Sequence, residues 1–188
     1  MRHLFASAGM ILILMAGPTQ AAEPTGDWIV KDGSARIRID NCAGKLWGVV
    51  AWEQNPGTDT ENPDPTKRAR PILGIPILLG MTSIQPNKWE GEIYNAQNGK
   101  IYSANISLPN DNTLKLEGCM LGGLFCGGEN WTRATTPPTG VVALPPAKGA
   151  AKAPAAAKKG APQSQSSEVC ARAAEEISQD SIKGSPKP

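Results

Sequence analysis

The sequence predicts an all-β protein: an antiparallel up-and-down barrel of about eight short strands, followed by a disordered Ala/Pro/Lys-rich C-terminal tail with one short helix. Three observations carry this prediction. Apolar and polar residues alternate with a period of two through much of residues 26–133, as half-buried strands require. Turn dipeptides such as Asp32-Gly33 and Asn98-Gly99 interrupt the alternation at short intervals. No amphipathic helical pattern of usable length falls between them, which suits sequential closure better than a parallel sheet.

The strands follow in order. Residues 26–30 open the domain, and Asp32-Gly33 turns into 35–39, where Ile37 and Ile39 face one side and Arg36 and Arg38 the other. Ala43-Gly44 leads into 46–52, and a polar loop runs from Glu53 to Arg70. Residues 73–79 are apolar despite Pro76, which places them at an edge or a bulge. Residues 88–94 alternate Trp89, Gly91 and Ile93 inward against Lys88, Glu90 and Glu92 outward. Asn98-Gly99, the strongest hairpin signal, joins them to 100–108, where Tyr102, Ala104 and Ile106 share a face. Asn110-Asp111-Asn112 turns into 113–119, and Gly122-Gly123 into a last strand ending at Arg133.

Outside the barrel, Arg2, the apolar run 4–16 and the small residues up to Ala21 read as a signal peptide over 1–21, because the apolar run is too short to span a bilayer. This addresses the protein to the periplasm or the exterior. Residues 134–167 are almost entirely small or polar and read as a disordered linker. Residues 168–183 read as a short amphipathic helix with Val169, Ala173, Ala174 and Ile177 on one face. Residues beyond about Thr136 are expected to make no stable contact with the barrel, apart from a tether at Cys170.

Composition narrows the chemistry. The single histidine, His3, lies in the signal peptide, so the mature chain lacks the residue on which Ser-His-Asp catalysis and His-ligated metals depend. Residues 22–133 hold 11 basic and 13 acidic groups, and residues 134–188 hold 7 and 4. The folded part is therefore no nucleic-acid binder, and only the basic tail suits weak contact with an anionic envelope polymer. No cofactor is implied.

Glycosidase chemistry needs only two carboxylates. Glu53, Glu90, Glu92, Glu117 and Glu129 are the candidates. Glu90, Glu92 and Glu117 fall at outward positions, and Glu53, at a strand end beside a loop, is the least implausible. No catalytic residue is assigned. Asp59, Glu61, Asn62 and Asp64 hold oxygens suited to calcium, but without EF-hand spacing. The favoured reading is a structural loop in which Asp64 caps the backbone and pairs with Arg68 or Arg70, and no metal site is assigned. An even cysteine count in an exported protein favours disulfides, and Cys119 and Cys126 flank a turn across which they can meet.

Taken in order, Gly26-Asp27-Trp28, the Cys42 turn, Gly48 to Trp52, Asn62-Pro63-Asp64, Arg68-Ala69-Arg70-Pro71, Gly74, Trp89 to Tyr94, Gly99 to Tyr102, Leu116 to Cys119 and Trp131-Thr132-Arg133 resemble the secreted bacterial proteins of domain-of-unknown-function family 2147. The resemblance spans residues 26–133. It implies a lipocalin-like barrel with an internal cavity and no established enzymatic activity. It also implies that Trp28 packs under Arg133 to close one end. The family often carries a second cysteine five residues after the first, where this chain has Trp47. Cys42 then pairs with the additional Cys170, or Cys170 links two molecules.

Alternation places Ile37, Ile39, Leu46, Val50, Trp52, Trp89, Ile93, Tyr102, Ala104, Ile106, Leu114 and Leu116 inside, with Gly48 and Gly91 removing side-chain volume. The expectation is a non-enzymatic carrier of a small, partly apolar ligand. Its cavity would be lined by Trp52, Trp89, Gly91, Tyr102 and Ala104, with Trp28 and Arg133 as the closure. The alternative is a filled barrel that serves as an envelope interaction module.

Overall fold

A computed structural model of the chain describes residues 23–120, 125–136 and 163–183. Eight strands, β1 (Gly26–Ile29), β2 (Ala35–Cys42), β3 (Lys45–Glu53), β4 (Pro76–Gln85), β5 (Lys88–Asn95), β6 (Lys100–Asn110), β7 (Thr113–Met120) and β8 (Phe125–Arg133), pair antiparallel in sequence order and close into a barrel. Closure runs through Trp28 opposite Arg133 and Ile29 opposite Thr132. The fourth strand starts three residues later than its apolar pattern suggests. Pro76 opens it, at a position where a missing N–H is tolerated. Residues 1–21, read from the sequence as a signal peptide, and residues 137–162 of the expected linker lie outside the described residues.

The interior follows the alternation except at two breaks, one on β4, where Leu78 and Met81 both enter the core across a register shift, and one between β2 and β3. Ile37, Ile39, Leu46, Val50, Ala104, Ile106, Leu114 and Leu116 are all buried. The register between β2 and β3 shifts between Arg36 and Ile37, so that Ile37 faces Val50 while Arg36 faces Trp52. This bulge turns Trp52 to the outer surface, where the Arg36 guanidinium lies 5.8 Å from its ring, and brings Glu53 round to the interior. One inserted residue reverses every side chain beyond it, so the expected inward Trp52 is corrected.

One end of the barrel is shut. Trp28 is fully buried and its Nε1 donates to the Pro24 carbonyl at 2.8 Å. The Arg133 guanidinium stacks 4.2 Å from the indole centroid. It donates to the carbonyls of Thr25, Glu23 and Asp111, tying the N-terminal segment and the β6–β7 turn across this end.

The tail helix departs from expectation. α1 (Gln163–Lys183) starts five residues early and packs on the outside of β2, β3 and β4. A disulfide joins Cys42 to Cys170, with Cα atoms 5.3 Å apart. Val169 and Ala173 are buried against Trp47 and Val49 on the outer face of β3. Glu176 receives Lys67 Nζ at 2.7 Å and an Arg70 guanidinium nitrogen at 3.2 Å. Arg172 donates to the Gly74 carbonyl at 3.2 Å. The expected absence of contact is thus corrected: a covalent tether raises the local concentration of the helix enough for a small apolar face to dock. Among the described residues, no helix is long and apolar enough to cross a membrane.

Candidate ligand cavity

The end opposite Trp28 and Arg133 is open. A cavity of about 930 Å³ enters there between the β1–β2 turn, the β3–β4 loop and the β5–β6 turn. Its origin can be read across four strands. The pairings Gly91–Ala104, Ala104–Gly118 and Gly118–Gly127 set four small residues side by side over β5, β6, β7 and β8. The row fills unevenly. A Cβ on Gly91 would lie 2.6 Å from Met81 Sδ, so Met81 already occupies that space. Gly48 is filled likewise by Leu78, at 3.0 Å. A Cβ on Gly118 would meet only Ile93 at 3.8 Å, and one on Gly127 nothing within 4 Å. The void therefore lies at the β7–β8 side of the row.

Of the five residues expected to line the cavity, only Tyr102 does so, its hydroxyl accepting from Asn98 Nδ2 at 2.9 Å. Trp52 is outside the barrel. Trp89 packs against the core near the closed end, opposite Ile106. Gly91 and Ala104 are roofed by neighbours and do not reach the space. Alternation identifies the inward face but not the height along the barrel, and that height separates core from cavity. The walls are instead Val30, Ile37, Val50, Ile93 and Leu116, with Trp131 among them. Trp131 is buried and its Nε1 donates to Glu129. Gly118 and Gly127 were the missed signal, as a pair of glycines in register on adjacent strands.

Two of the five candidate carboxylates, Glu53 and Glu129, line the cavity together with Asp32. Burial raises the pKa of Glu53, against the backbone amides of Gly57 and Leu73, which lower it. Its Oε2 is shut off from solvent without a hydrogen-bond partner among the described residues. Glu90 and Glu92 are exposed, and Glu117 pairs with Lys115 on the outer surface.

The mouth is organised by the β3–β4 loop. Asp59 and Asn62 are buried beneath it. Asp59 accepts from the Tyr94 hydroxyl at 2.6 Å, Asn62 Nδ2 at 2.7 Å and Arg70 Nε at 3.0 Å. Tyr94 is pushed up to about 12, first by burial and then by its bond to Asp59. Asp64 caps the 3-10 turn Pro65–Lys67 by accepting from the Thr66 amide. Of the two partners expected for Asp64, Arg70 pairs instead with Asp59, the carboxylate buried under its guanidinium, and Arg68 Nε donates to the Asn62 carbonyl at 2.8 Å. Asp59 and Asn62 are thereby engaged in holding the loop, and the described residues contain no cluster suited to a metal. The β5–β6 turn fits beneath the loop only because residue 99 is glycine, with a φ of +67 and Glu61 O where a Cβ would stand. Cys119 and Cys126, directly opposed in the β7–β8 hairpin, form the second disulfide at the rim.

A closed eight-stranded barrel, plugged by an Arg-covered Trp at one end and hollow at the other, is lipocalin-like. Residues 26–133, more than half of the chain, match the family described as "Uncharacterized protein conserved in bacteria" (DUF2147), and the protein belongs to that family. Among solved structures it is similar to the protein HP1028 of Helicobacter pylori, described as belonging to the lipocalin family. The TM-score is 0.56 at 18% identity, over 61% of this chain and 84% of that one; this likeness is one of fold. No curated protein matches the sequence.

Proposed function

We propose that the protein is an exported, non-enzymatic carrier that takes a small, partly apolar molecule into the open end of its barrel. The observation that supports this best is the unfilled space of about 930 Å³ above Trp131, because protein interiors are otherwise close-packed and small-molecule sites span roughly 300–1,000 Å³. The lining mixes aliphatic walls with a few polar groups at the rim, the usual composition of such sites. Two disulfides suit an oxidising compartment, in keeping with periplasmic or secreted location. Holding and releasing a ligand asks nothing of Glu53 and Glu129 as an acid–base pair.

The test is uptake of the neutral fluorescent probe N-phenylnaphthylamine, with native mass spectrometry of protein purified from its host to detect a resident molecule. The wild-type chain should bind the probe. Gly118→Leu, whose side chain projects into open space, should fold normally and lose most of the uptake. A wild-type protein that takes up no probe and carries no molecule would defeat the carrier reading and leave the barrel as an interaction module.

A further inference from the structure

We propose that the cavity selects an amphiphilic organic cation, an apolar body with a protonated amine head, over the fatty acid anion of the same size. The inference rests on the carrier reading above and specifies its ligand. The cavity is lined by three carboxylates, Glu53 and Glu129 in its walls and the exposed Asp32 at its rim, and among the described residues no lysine or arginine lines the space. A cleft whose walls carry one sign of charge focuses its field on the opening and concentrates ions of the opposite sign.

Two of the carboxylates are held in place by the fold. Glu53 lines the space with its carboxylate anchored by the backbone amides of Gly57 and Leu73, so a cation in the cavity meets a fixed negative charge. Burial already raises the Glu53 pKa, and a cation alongside would favour its ionised form. Glu129 is held in place by Trp131 Nε1, so a second carboxylate is oriented in the same space. The aromatic side chains Trp131, Tyr94 and Tyr102 also line it, and aromatic rings attract cations. A carboxylate head would meet three like charges and no donor cation, which is discrimination by repulsion as much as by attraction.

The experiment displaces N-phenylnaphthylamine from the full-length protein with decylammonium, decanoate and decanol at neutral pH. Decylammonium should displace the probe at concentrations at least ~10-fold lower than decanoate, since one oriented charge contact is worth about that factor. In the double variant Glu53→Gln, Glu129→Gln the gap should shrink to ~3-fold or less while decanol is unchanged; glutamine keeps an acceptor for Trp131 Nε1. The exposed Asp32→Asn should narrow the gap partly and provides the check if the double variant does not fold. Decanol displacement with decanoate as good as decylammonium, or a gap that survives all three substitutions, overturns the cation reading alone. A wild-type protein that binds neither probe nor any of the three chains overturns the cavity reading as well.

Discussion

The row of small residues across β5–β8 makes one substitution act in opposite directions at two positions of the same level. In Gly91→Ala the new methyl would sit 2.6 Å from Met81 Sδ, 2.9 Å from Leu79 O and 2.9 Å from Met81 Cα. The sulfur can rotate away. The carbonyl and the Cα cannot, because β4 is pinned to β5 on either side by the pairs Leu79–Glu92 and Thr82–Glu90. Backbone contacts that close must open by about half an ångström, a small-to-large change in a packed interior that costs ~1–3 kcal/mol. Replacing glycine also returns ~0.4–1 kcal/mol through the unfolded chain, leaving a net loss of roughly 1–2 kcal/mol. In Gly118→Ala the methyl meets only Ile93 Cγ2 at 3.8 Å, so the unfolded-state gain stands almost alone. At ~4–8 °C per kcal/mol for a domain of this size, Gly91→Ala should melt ~5–15 °C below the parent and Gly118→Ala a few degrees above it. Thermal unfolding followed by near-UV dichroism, with disulfides intact, reads both. Equal melting temperatures for the two variants would refute the claim that Met81 fills one half of the row and leaves the other hollow.

Two further outcomes follow from the ends of the barrel. Burial pushes the Glu176 pKa up, but the Lys67 hydrogen bond and the charges of Arg70 and Lys67 outweigh it and hold the carboxylate below its ordinary range. A lowered folded-state value means this stabilisation is fully present above the unfolded glutamate pKa and is lost as pH falls through the folded one. Hydrogen exchange should therefore show α1 loosening from the β3–β4 loop in acid, and Glu176→Gln should remove that acid dependence; identical profiles for the two proteins would contradict it. Arg133→Ala removes the stacking on Trp28 and three bonds to carbonyls, which together should cost ~2–4 kcal/mol in urea denaturation, and a loss below ~0.5 kcal/mol would show that the plug contributes little.

Strand order, turns and most of the inward face are legible in the amino-acid pattern alone, because these depend on local chemistry with a period of two. Ile37, Ile39, Ile106 and Leu114 are buried as their spacing requires. Asn98-Gly99 turns as a glycine-containing hairpin must. Three things needed the tertiary structure. The bulge opposite Arg36 sent Trp52 outward and Glu53 inward, and nothing in the apolar run Leu46 to Trp52 marks where an extra residue is absorbed. That same run held an unread signal. A strand apolar at consecutive positions is covered on both faces, and here the cover over Trp47 and Val49 is α1, brought from far along the chain by a disulfide that spans 128 residues. The position of the cavity was decided by which glycine a neighbouring strand happens to fill. Met81 crowds Gly91, whereas Gly118 meets only Ile93 at ordinary contact distance, a difference set by register and strand stagger between residues remote in sequence, which a period of two does not encode.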